Sequence, residues 1–162
     1  MYRITMLSIL LLISCVPTIV AGDSGPSSTQ DKQAIEKAVL EVHNKMAQAD
    51  REMNPEKMFE YVLDAGPGTI ISDGKLMKSR QEALDIIKAG LQGVSKVERT
   101  YDKTYVTIIS SDAAIVTGAG ITNITLKDGR SISSEFAFTE VFIRKEGQWK
   151  MIHGHFSVPM GQ

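Results

Sequence analysis

The chain has 162 residues, of which 43% are hydrophobic and 23% are charged, and its formal net charge is -1. This length favours one domain over two, and the composition is that of a globular protein. A nearly neutral chain without a basic stripe lacks the charge that binding to a nucleic-acid backbone requires. We therefore expect no nucleic-acid partner.

The first 22 residues have the three parts of an export signal. Arg3 precedes an apolar run over residues 4–16, and the small residues Ala21 and Gly22 follow. The run is shorter than the roughly 20 residues that span a membrane. Residues 1–22 are therefore predicted to be a signal peptide, and the protein is expected to be exported to the periplasm or secreted. An uncleaved N-terminal anchor is the alternative.

Cys15, the only cysteine, leaves a further alternative open. Residues 12–15 resemble the lipobox of bacterial lipoproteins, in which the cysteine is lipidated and becomes the new N-terminus. Cleavage after Ala21 or Gly22 would release a free domain, whereas lipidation at Cys15 would anchor it. We expect contact with a membrane only in the lipidated case.

The next segment changes from linker to helix. Residues 23–30 are rich in Gly, Ser and Pro and are predicted to be a flexible linker, so the folded domain is expected over 31–162. Apolar residues then recur at helical spacing over 35–53, which predicts one long amphipathic helix. Asn54 and Pro55 are typical of an N-cap and a first helical position, and they predict a short second helix.

Strands dominate the rest of the chain. Asp73-Gly74 is a strong turn signal and predicts a hairpin, and Ser79 to Glu82 forms a capping box that starts a third helix ending at Gly93. A period of two then predicts four antiparallel strands joined by short turns, near residues 96–109, 113–126, 131–144 and 148–158. This order predicts an α+β domain with helices on one face of a curved sheet.

The last predicted strand contains a pair of histidines two positions apart, in the sequence Trp-Lys-Met-Ile-His-Gly-His-Phe-Ser at residues 149–157. Together with residues 138–149 and 74–83, this strand resembles the SnoaL-like branch of the nuclear-transport-factor-2-like superfamily, over residues 31–159. The association domain of calcium/calmodulin-dependent kinase ends similarly. The resemblance implies a cone-shaped, curved antiparallel sheet packed on three helices, with an apolar pocket. It also implies a homodimer formed through the other face of the sheet.

Strand alternation divides the last strand between two faces. Trp149, His153 and His155 fall on one face, which we predict to be the dimer interface, whereas Phe156 falls on the opposite face, toward the pocket. Metal binding by the two histidines would need a third ligand. His43 is the only other histidine, and no acidic cluster accompanies it in the sequence. No metal site is therefore expected.

Two carboxylates are candidates for catalysis. Glu140 shares one face of its predicted strand with several aromatic residues, so we expect it to be partly buried. A carboxylate in that position must be paired, protonated or exposed at the edge of the sheet. We first expect a salt bridge to a cation on a neighbouring strand or helix. Asp73 falls near the proton-shuttling aspartate of the steroid-isomerase branch, although turn geometry already explains an Asp before Gly. The resemblance implies a ligand pocket lined by Met58, Tyr61, Phe136, Phe138, Glu140 and Phe156.

Three functions remain open from the sequence. The first is an exported domain that binds a small, mostly apolar molecule, with or without catalysis. The second is a cofactor-free isomerase, cyclase or dehydratase in which a pocket carboxylate moves a proton. The third is an oligomerisation module. No nucleophile–base pair, phosphate loop or redox motif is present in the sequence, so no cofactor is expected.

Overall fold

The computed structural model describes residues 28–159. The predicted signal peptide and the lipidation site at Cys15 lie outside the described residues. The first helix begins at Thr29, inside the segment predicted as linker, because the Ser28 hydroxyl accepts a hydrogen bond from the Asp31 amide and caps the helix. None of the helices in the described part is both long enough and apolar enough to cross a bilayer.

The described residues form three helices and six strands, in the predicted order. Their bounds are α1 Thr29–Arg51, α2 Pro55–Phe59, β1 Ile70–Ser72, β2 Lys75–Leu76, α3 Arg80–Leu91, β3 Val94–Ser110, β4 Ala113–Leu126, β5 Ser131–Lys145 and β6 Gln148–Ser157. Local signals explain the helix starts, because Asn54 caps α2 ahead of a proline and Ser79 caps α3. The α+β class is confirmed.

The six strands form one sheet in the order β2-β1-β6-β5-β4-β3. Strands β3 to β6 form the predicted antiparallel meander. Strand β1, however, pairs with β6 in parallel, with Ile70 opposite Gly154. The sheet is therefore mixed rather than wholly antiparallel as predicted. Strand β1 lies beside β6, the last strand of the chain, and the two strands run in the same direction.

The β1–β2 hairpin turns at the predicted Asp73-Gly74 pair. Both residues have positive φ angles, 50° and 76°, which is the backbone of a type I′ turn. The Asp73 amide also donates a hydrogen bond to the Phe156 carbonyl of β6. The hairpin is thus attached to the end of the last strand.

A bulge bends β3 beside the glycines of β4. The pairing of β3 and β4 shifts between Tyr101 and Lys103, opposite Gly120 and Ala119. A Cβ atom at Gly120 would overlap the Thr100 carbonyl, so only glycine fits this close approach. The register irregularity lies in β3, the partner of the glycine-containing strand β4.

A second irregularity changes the two faces of β6. Val141 of β5 pairs with His153, but the next residue of β5, Phe142, pairs with Met151, which leaves Ile152 as an extra residue. Trp149 therefore lies on the inner face, the sheet face that packs against α1, and it belongs to the hydrophobic core with 8% exposure. The prediction that Trp149 shares an interface with His153 and His155 is wrong, because simple alternation does not continue through a bulge.

The core lies between α1 and the inner face. Its most completely buried side chains are Val39, Phe59, Val116, Phe142 and Met151. Burial of a side chain of this size contributes about 1.5–3 kcal/mol to stability. This packing holds α1 against the middle of the sheet and so determines which helix residues face the cavity described below.

Candidate functional site

A cavity of about 360 Å³ opens between the helices and the inner face of the sheet. Most of its lining is apolar, as a ligand site for an apolar molecule requires. The lining includes several residues that the sequence predicted for a pocket or for catalysis: Met58, Asp73, Phe136, Glu140 and Phe156.

Two residues of the predicted pocket do not line this cavity. Phe138 is buried behind it, where its ring stacks on His43 at a centroid distance of 5.3 Å and on Phe156 at 6.5 Å. Tyr61 lies on the loop after α2, with the Lys150 amine 5.5 Å from its ring centroid. Phe138 thus supports residues of the cavity, whereas Tyr61 lies outside it.

The central polar feature of the cavity is a buried pair formed by His43 and Glu140. The distance between His43 Nδ1 and Glu140 Oε2 is 2.8 Å, and the two side chains are 5% and 6% exposed. Glu140 was expected to pair with a cation on a strand or helix, and its partner is this helix histidine. Desolvation strengthens such a pair, because few water molecules compete for the hydrogen bond.

Aromatic rings hold the His43 imidazole in place. Its ring lies nearly parallel to Phe138, with an interplanar angle of 9°, and at 77° to Tyr101, whose centroid is 5.4 Å away. On α1, His43 follows Val39 by one turn and precedes Met46, and all three are buried. The ring contacts with Phe138 and Tyr101 and the hydrogen bond to Glu140 therefore hold the imidazole in one orientation.

The hydrogen bond to Glu140 determines the tautomer of His43. A carboxylate oxygen accepts, so Nδ1 carries a proton, and in the neutral imidazole Nε2 then keeps its lone pair. Within residues 28–159, Nε2 has no hydrogen-bond partner. A histidine that lines a cavity with a free lone pair and a carboxylate behind it is arranged to accept a proton from a ligand.

Tyr101 is a second polar group of the cavity wall. Burial raises the pKa of its phenol to about 12. The hydroxyl therefore remains protonated at neutral pH and is able to donate a hydrogen bond to a ligand oxygen.

An ion pair between Arg99 and Asp50 lies on another part of the lining. Arg99 Nε and Asp50 Oδ2 are 2.8 Å apart, and the side chains are 28% and 20% exposed. This distance is short enough for an ion pair. The Nε–H group and the carboxylate oxygen, however, are not oriented so as to form a hydrogen bond. Burial raises the pKa of the Asp50 carboxyl, and the nearby Arg99 charge opposes that effect.

The remaining predicted site residues lie elsewhere. Asp73 is exposed in the hairpin turn at the mouth of the cavity, where its carboxylate accepts a hydrogen bond from Ser72, so it lacks the burial that its predicted catalytic function assumed. His153 is half-buried and lies 2.8 Å from the Gly68 carbonyl, and His155 is exposed. The predicted dimer interface through these two histidines stays a prediction.

Sequence reasoning did not identify His43 as a site residue. Its partner Glu140 is 97 positions away in the chain, so no local sequence pattern connects the two residues. One signal was available: His43 occupies a position of the apolar stripe of α1, where a polar residue must find a buried partner.

Residues 39–161 match the family model of the SnoaL-like domain. The chain belongs to the SnoaL-like family. This confirms the resemblance seen in residues 138–157. A search of curated proteins finds no match to this SnoaL-like chain.

Solved structures of the nuclear-transport-factor-2-like superfamily share the fold of this SnoaL-like domain. A protein from Streptomyces avermitilis, provisionally named a dehydratase of that family, is 17% identical with a TM-score of 0.70, over 80% of this chain and 99% of the other. A Novosphingobium aromaticivorans protein, provisionally named scytalone dehydratase, is 10% identical with a TM-score of 0.74, over 82% and 89%. A Xanthomonas campestris protein, provisionally named a calcium/calmodulin-dependent protein kinase II association domain, is 20% identical with a TM-score of 0.67, over 86% and 96%. At these identities the likeness shows the fold alone.

Proposed function

We propose that this SnoaL-like protein is a proton-transfer enzyme, an isomerase or a dehydratase, that acts on a small, mostly apolar molecule held in the cavity. One observation carries the proposal: the buried 2.8 Å contact between His43 Nδ1 and Glu140 Oε2 at the cavity wall. Groups arranged for proton transfer must be fixed in position and in protonation state before the substrate arrives. The contact with Glu140 and the stacked Phe138 ring fix the position of the imidazole, and the carboxylate acceptor keeps a proton on Nδ1.

In the proposed reaction His43 is the general base. Its Nε2 accepts a proton from a carbon atom beside an electron-withdrawing group, and the charge of the resulting imidazolium is stabilised by Glu140. In an isomerisation the proton returns to a different carbon. In a dehydration the C–H electron pair forms the double bond, the neighbouring C–O bond breaks, and the imidazolium protonates the departing hydroxyl to give water. His43 is neutral again at the end of either sequence.

Tyr101 supports the proposed reaction as a hydrogen-bond donor. Removing a proton beside a carbonyl places negative charge on the carbonyl oxygen, and a donor in a poorly hydrated site stabilises that charge. Tyr101 lines the cavity, contacts His43 edge to face, and has a pKa of about 12 that keeps its hydroxyl protonated. We assign it this function because the donor and the base are then adjacent.

Two further observations support this function. The mostly apolar lining favours an apolar substrate, and the side chains of His43 and Glu140 are only 5% and 6% exposed. Two of the three structural relatives described above carry dehydratase names. Dehydration and isomerisation both begin with the removal of a proton from carbon, so one base serves either reaction.

The test is hydrogen–deuterium exchange at carbon, because it detects proton abstraction without knowledge of the natural substrate. Small aryl ketones and aryl β-hydroxy ketones would be incubated with the protein in D₂O and followed by NMR. We expect the wild-type protein to accelerate exchange beside the carbonyl, or loss of water, for at least one of these probes. His43→Gln should abolish the acceleration, and Glu140→Gln should lower it by about 100-fold.

His155→Gln is the matched control. It makes the same replacement at an exposed histidine outside the cavity, so it should leave the exchange unchanged. Exchange no faster than in buffer, or equal rates in the His43 variant and the wild type, would contradict the proposed function.

Ligand binding without turnover is the second candidate, since an apolar cavity of about 360 Å³ suits it equally. Native mass spectrometry of the protein from its host separates the two candidates. A retained molecule that remains unchanged on prolonged incubation with the protein would favour binding alone. The same spectrum would report the oligomeric state and test the assembly-module hypothesis.

Export and dimerisation are further proposals. Export is supported by the charged, apolar and small-residue parts of residues 1–22, and the mass of the mature N-terminal peptide would test both cleavage and lipidation at Cys15. Dimerisation is supported by exposed apolar groups on the sheet face opposite α1, among them Tyr105 and Ile121.

A further inference from the structure

The Arg99–Asp50 ion pair links α1 to β3 at the cavity wall. Their contact uses Arg99 Nε and Asp50 Oδ2. In the described part of the chain, the other guanidinium nitrogens and the other carboxylate oxygen have no hydrogen-bond partner. The guanidinium also lies over the Phe136 ring, 5.5 Å from its centroid, which restricts its movement. A fixed pair with unused donors and an unused acceptor is able to bind a polar group of a ligand.

Neighbouring strands add two hydroxyl side chains beside this pair. Arg99 of β3 is opposite Thr122 of β4, and Thr122 is opposite Ser134 of β5. All three residues line the cavity, as does Asp50. We call Asp50, Arg99, Thr122 and Ser134 the polar subsite. Its members come from four elements and meet only in the folded chain.

The polar subsite lies nearer to solvent than the His43–Glu140 pair. Its charged side chains are 28% and 20% exposed, against 5% and 6% for the buried pair. The next lining residue along β5 is Ile132, which is 52% exposed. A ligand that fills the cavity would therefore place its reacting end deep and its other end at the polar subsite.

Helix geometry gives the separation of the two ends. Asp50 follows His43 by seven residues on α1, which is two turns or about 10 Å. This is the separation of the two backbone positions, and a ligand that contacts both His43 and the polar subsite must therefore be elongated. A compact molecule would reach only one of the two groups.

The charges around the cavity decide which kind of polar terminus fits. Three carboxylates line it, on Asp50, Asp73 and Glu140, but only one guanidinium, on Arg99. An anionic terminus would meet an already neutralised arginine and an excess of negative charge, and a cationic one would meet the guanidinium. A hydroxyl or a carboxamide avoids both penalties, because each donates to Asp50 and accepts from Arg99.

We propose that the polar subsite binds an uncharged terminus of the substrate, a hydroxyl or a carboxamide, and discriminates against a carboxylate. The substrate class is thus an elongated, mostly apolar molecule with an uncharged polar end. This inference rests on the proposed function only in that both concern the same cavity.

Four probes that differ only in their terminus test the inference: phenylbutanol, phenylbutanamide, phenylbutanoate and phenylbutylammonium. Each would be titrated into the ¹⁵N-labelled protein, and Kd would be obtained from the amide shifts of residues around the cavity. We expect the alcohol and the amide to bind about tenfold more tightly than either charged probe. Equal or tighter binding of the carboxylate, or no binding of the alcohol and amide at millimolar concentrations, would overturn the inference.

Asp50→Asn should invert the preference. The replacement leaves Arg99 without its counter-charge, so phenylbutanoate should become the tightest probe. Asp112→Asn is the matched control, because Asp112 forms a similar contact with Arg144, at 2.7 Å on the exposed surface and away from the cavity. It should leave all four constants unchanged. An unaltered order of affinities in the Asp50 variant would count against the inference.

A second variant covers the case in which Asp50→Asn does not fold. Thr122→Val removes one hydroxyl of the polar subsite at nearly constant shape, and it should weaken the alcohol and the amide but not an apolar probe, phenylbutane. Equal weakening of all probes would point to a structural effect and overturn the inference. Probe binding needs no turnover, so a preserved preference without proton exchange would contradict the proposed function alone. Proton exchange without the preference would contradict the polar subsite alone.

Discussion

His43 and Glu140 are 97 positions apart in the chain and 2.8 Å apart in the structure, as a buried pair that joins α1 to β5. The pair connects the stability of the fold to its proposed chemistry, because each side chain satisfies the polar group of the other. Removing either partner leaves a buried group without its hydrogen bond, which is more costly than never having formed the pair.

Replacement of Glu140 should separate charge from hydrogen bonding. Glu140→Gln keeps an acceptor for His43 Nδ1 but cannot stabilise the imidazolium, so we expect proton exchange to fall by about 100-fold with a small loss of stability. Glu140→Ala removes the acceptor and leaves a void, and should lower the free energy of unfolding by about 3 kcal/mol. Urea unfolding and the D₂O assay measure the two effects. A glutamine variant with wild-type exchange would show that the carboxylate charge is not needed.

Gly120 should tolerate no side chain. Gly120→Ala places a methyl group against the Thr100 carbonyl, and the backbone of β3 must move to admit it. We expect the free energy of unfolding to fall by about 3 kcal/mol or more, because the added methyl group overpacks the site and strains the backbone. Gly90→Ala is the control, since a Cβ there meets open space on helix α3, and it should stabilise the protein by about 0.5–1 kcal/mol. Equal effects at the two glycines would contradict the packing at the bulge.

Tyr101 should make the protein sensitive to alkaline pH. Burial raises the pKa of its phenol to about 12 in the folded state, above the value of about 10 in an unfolded chain. A raised folded pKa means that its contribution to stability is present below about pH 10 and is lost as the pH rises through about 12.

The stability of the wild type should therefore fall more steeply over this interval than that of Tyr101→Phe. Denaturant unfolding at several pH values measures the difference, and the absorbance of tyrosinate follows the ionisation. Tyr105→Phe, at an exposed tyrosine, should retain the steep dependence. Parallel pH profiles of the wild type and Tyr101→Phe would show that Tyr101 is not the group responsible.

Trp149 should report a packed core rather than a subunit interface. It is the only tryptophan, and it is 8% exposed in a single copy of the chain. We expect its fluorescence to be protected from iodide quenching at every protein concentration, since the protection comes from its own chain. An increase in quenching on dilution would instead indicate that a second copy covers this residue.

The fold was largely predictable from the sequence because its signals are local. Caps at Asn54 and Ser79 start helices, and Asp73-Gly74 makes a hairpin turn, each through atoms within a few residues of one another. The long strands follow from a period of two over residues 96–158. These features, together with the motif at 149–157, were sufficient to identify the family.

Contacts that depend on the register between strands could not be predicted from local sequence patterns. The extra residue at Ile152 reverses the alternation of β6, so Trp149 lies in the core and not beside His153. The parallel pairing of β1 with β6 likewise joins strands that no short turn connects. The position of a bulge and the pairing of distant strands both depend on how side chains pack in the folded protein, and local sequence patterns do not specify that packing.

The sequence by itself determined the order of the elements and the SnoaL-like family, and it marked Glu140 as a carboxylate that needs a partner, because periodicity, turn residues and a charge among aromatic residues are features of single segments. Only the tertiary structure decided that His43 is the partner of Glu140 and that Arg99 lies beside Asp50 in the same cavity. The reason is physical. The partner of a buried polar group is whichever group the packing of helix on sheet brings within hydrogen-bond distance, and for Glu140 that group lies 97 residues away.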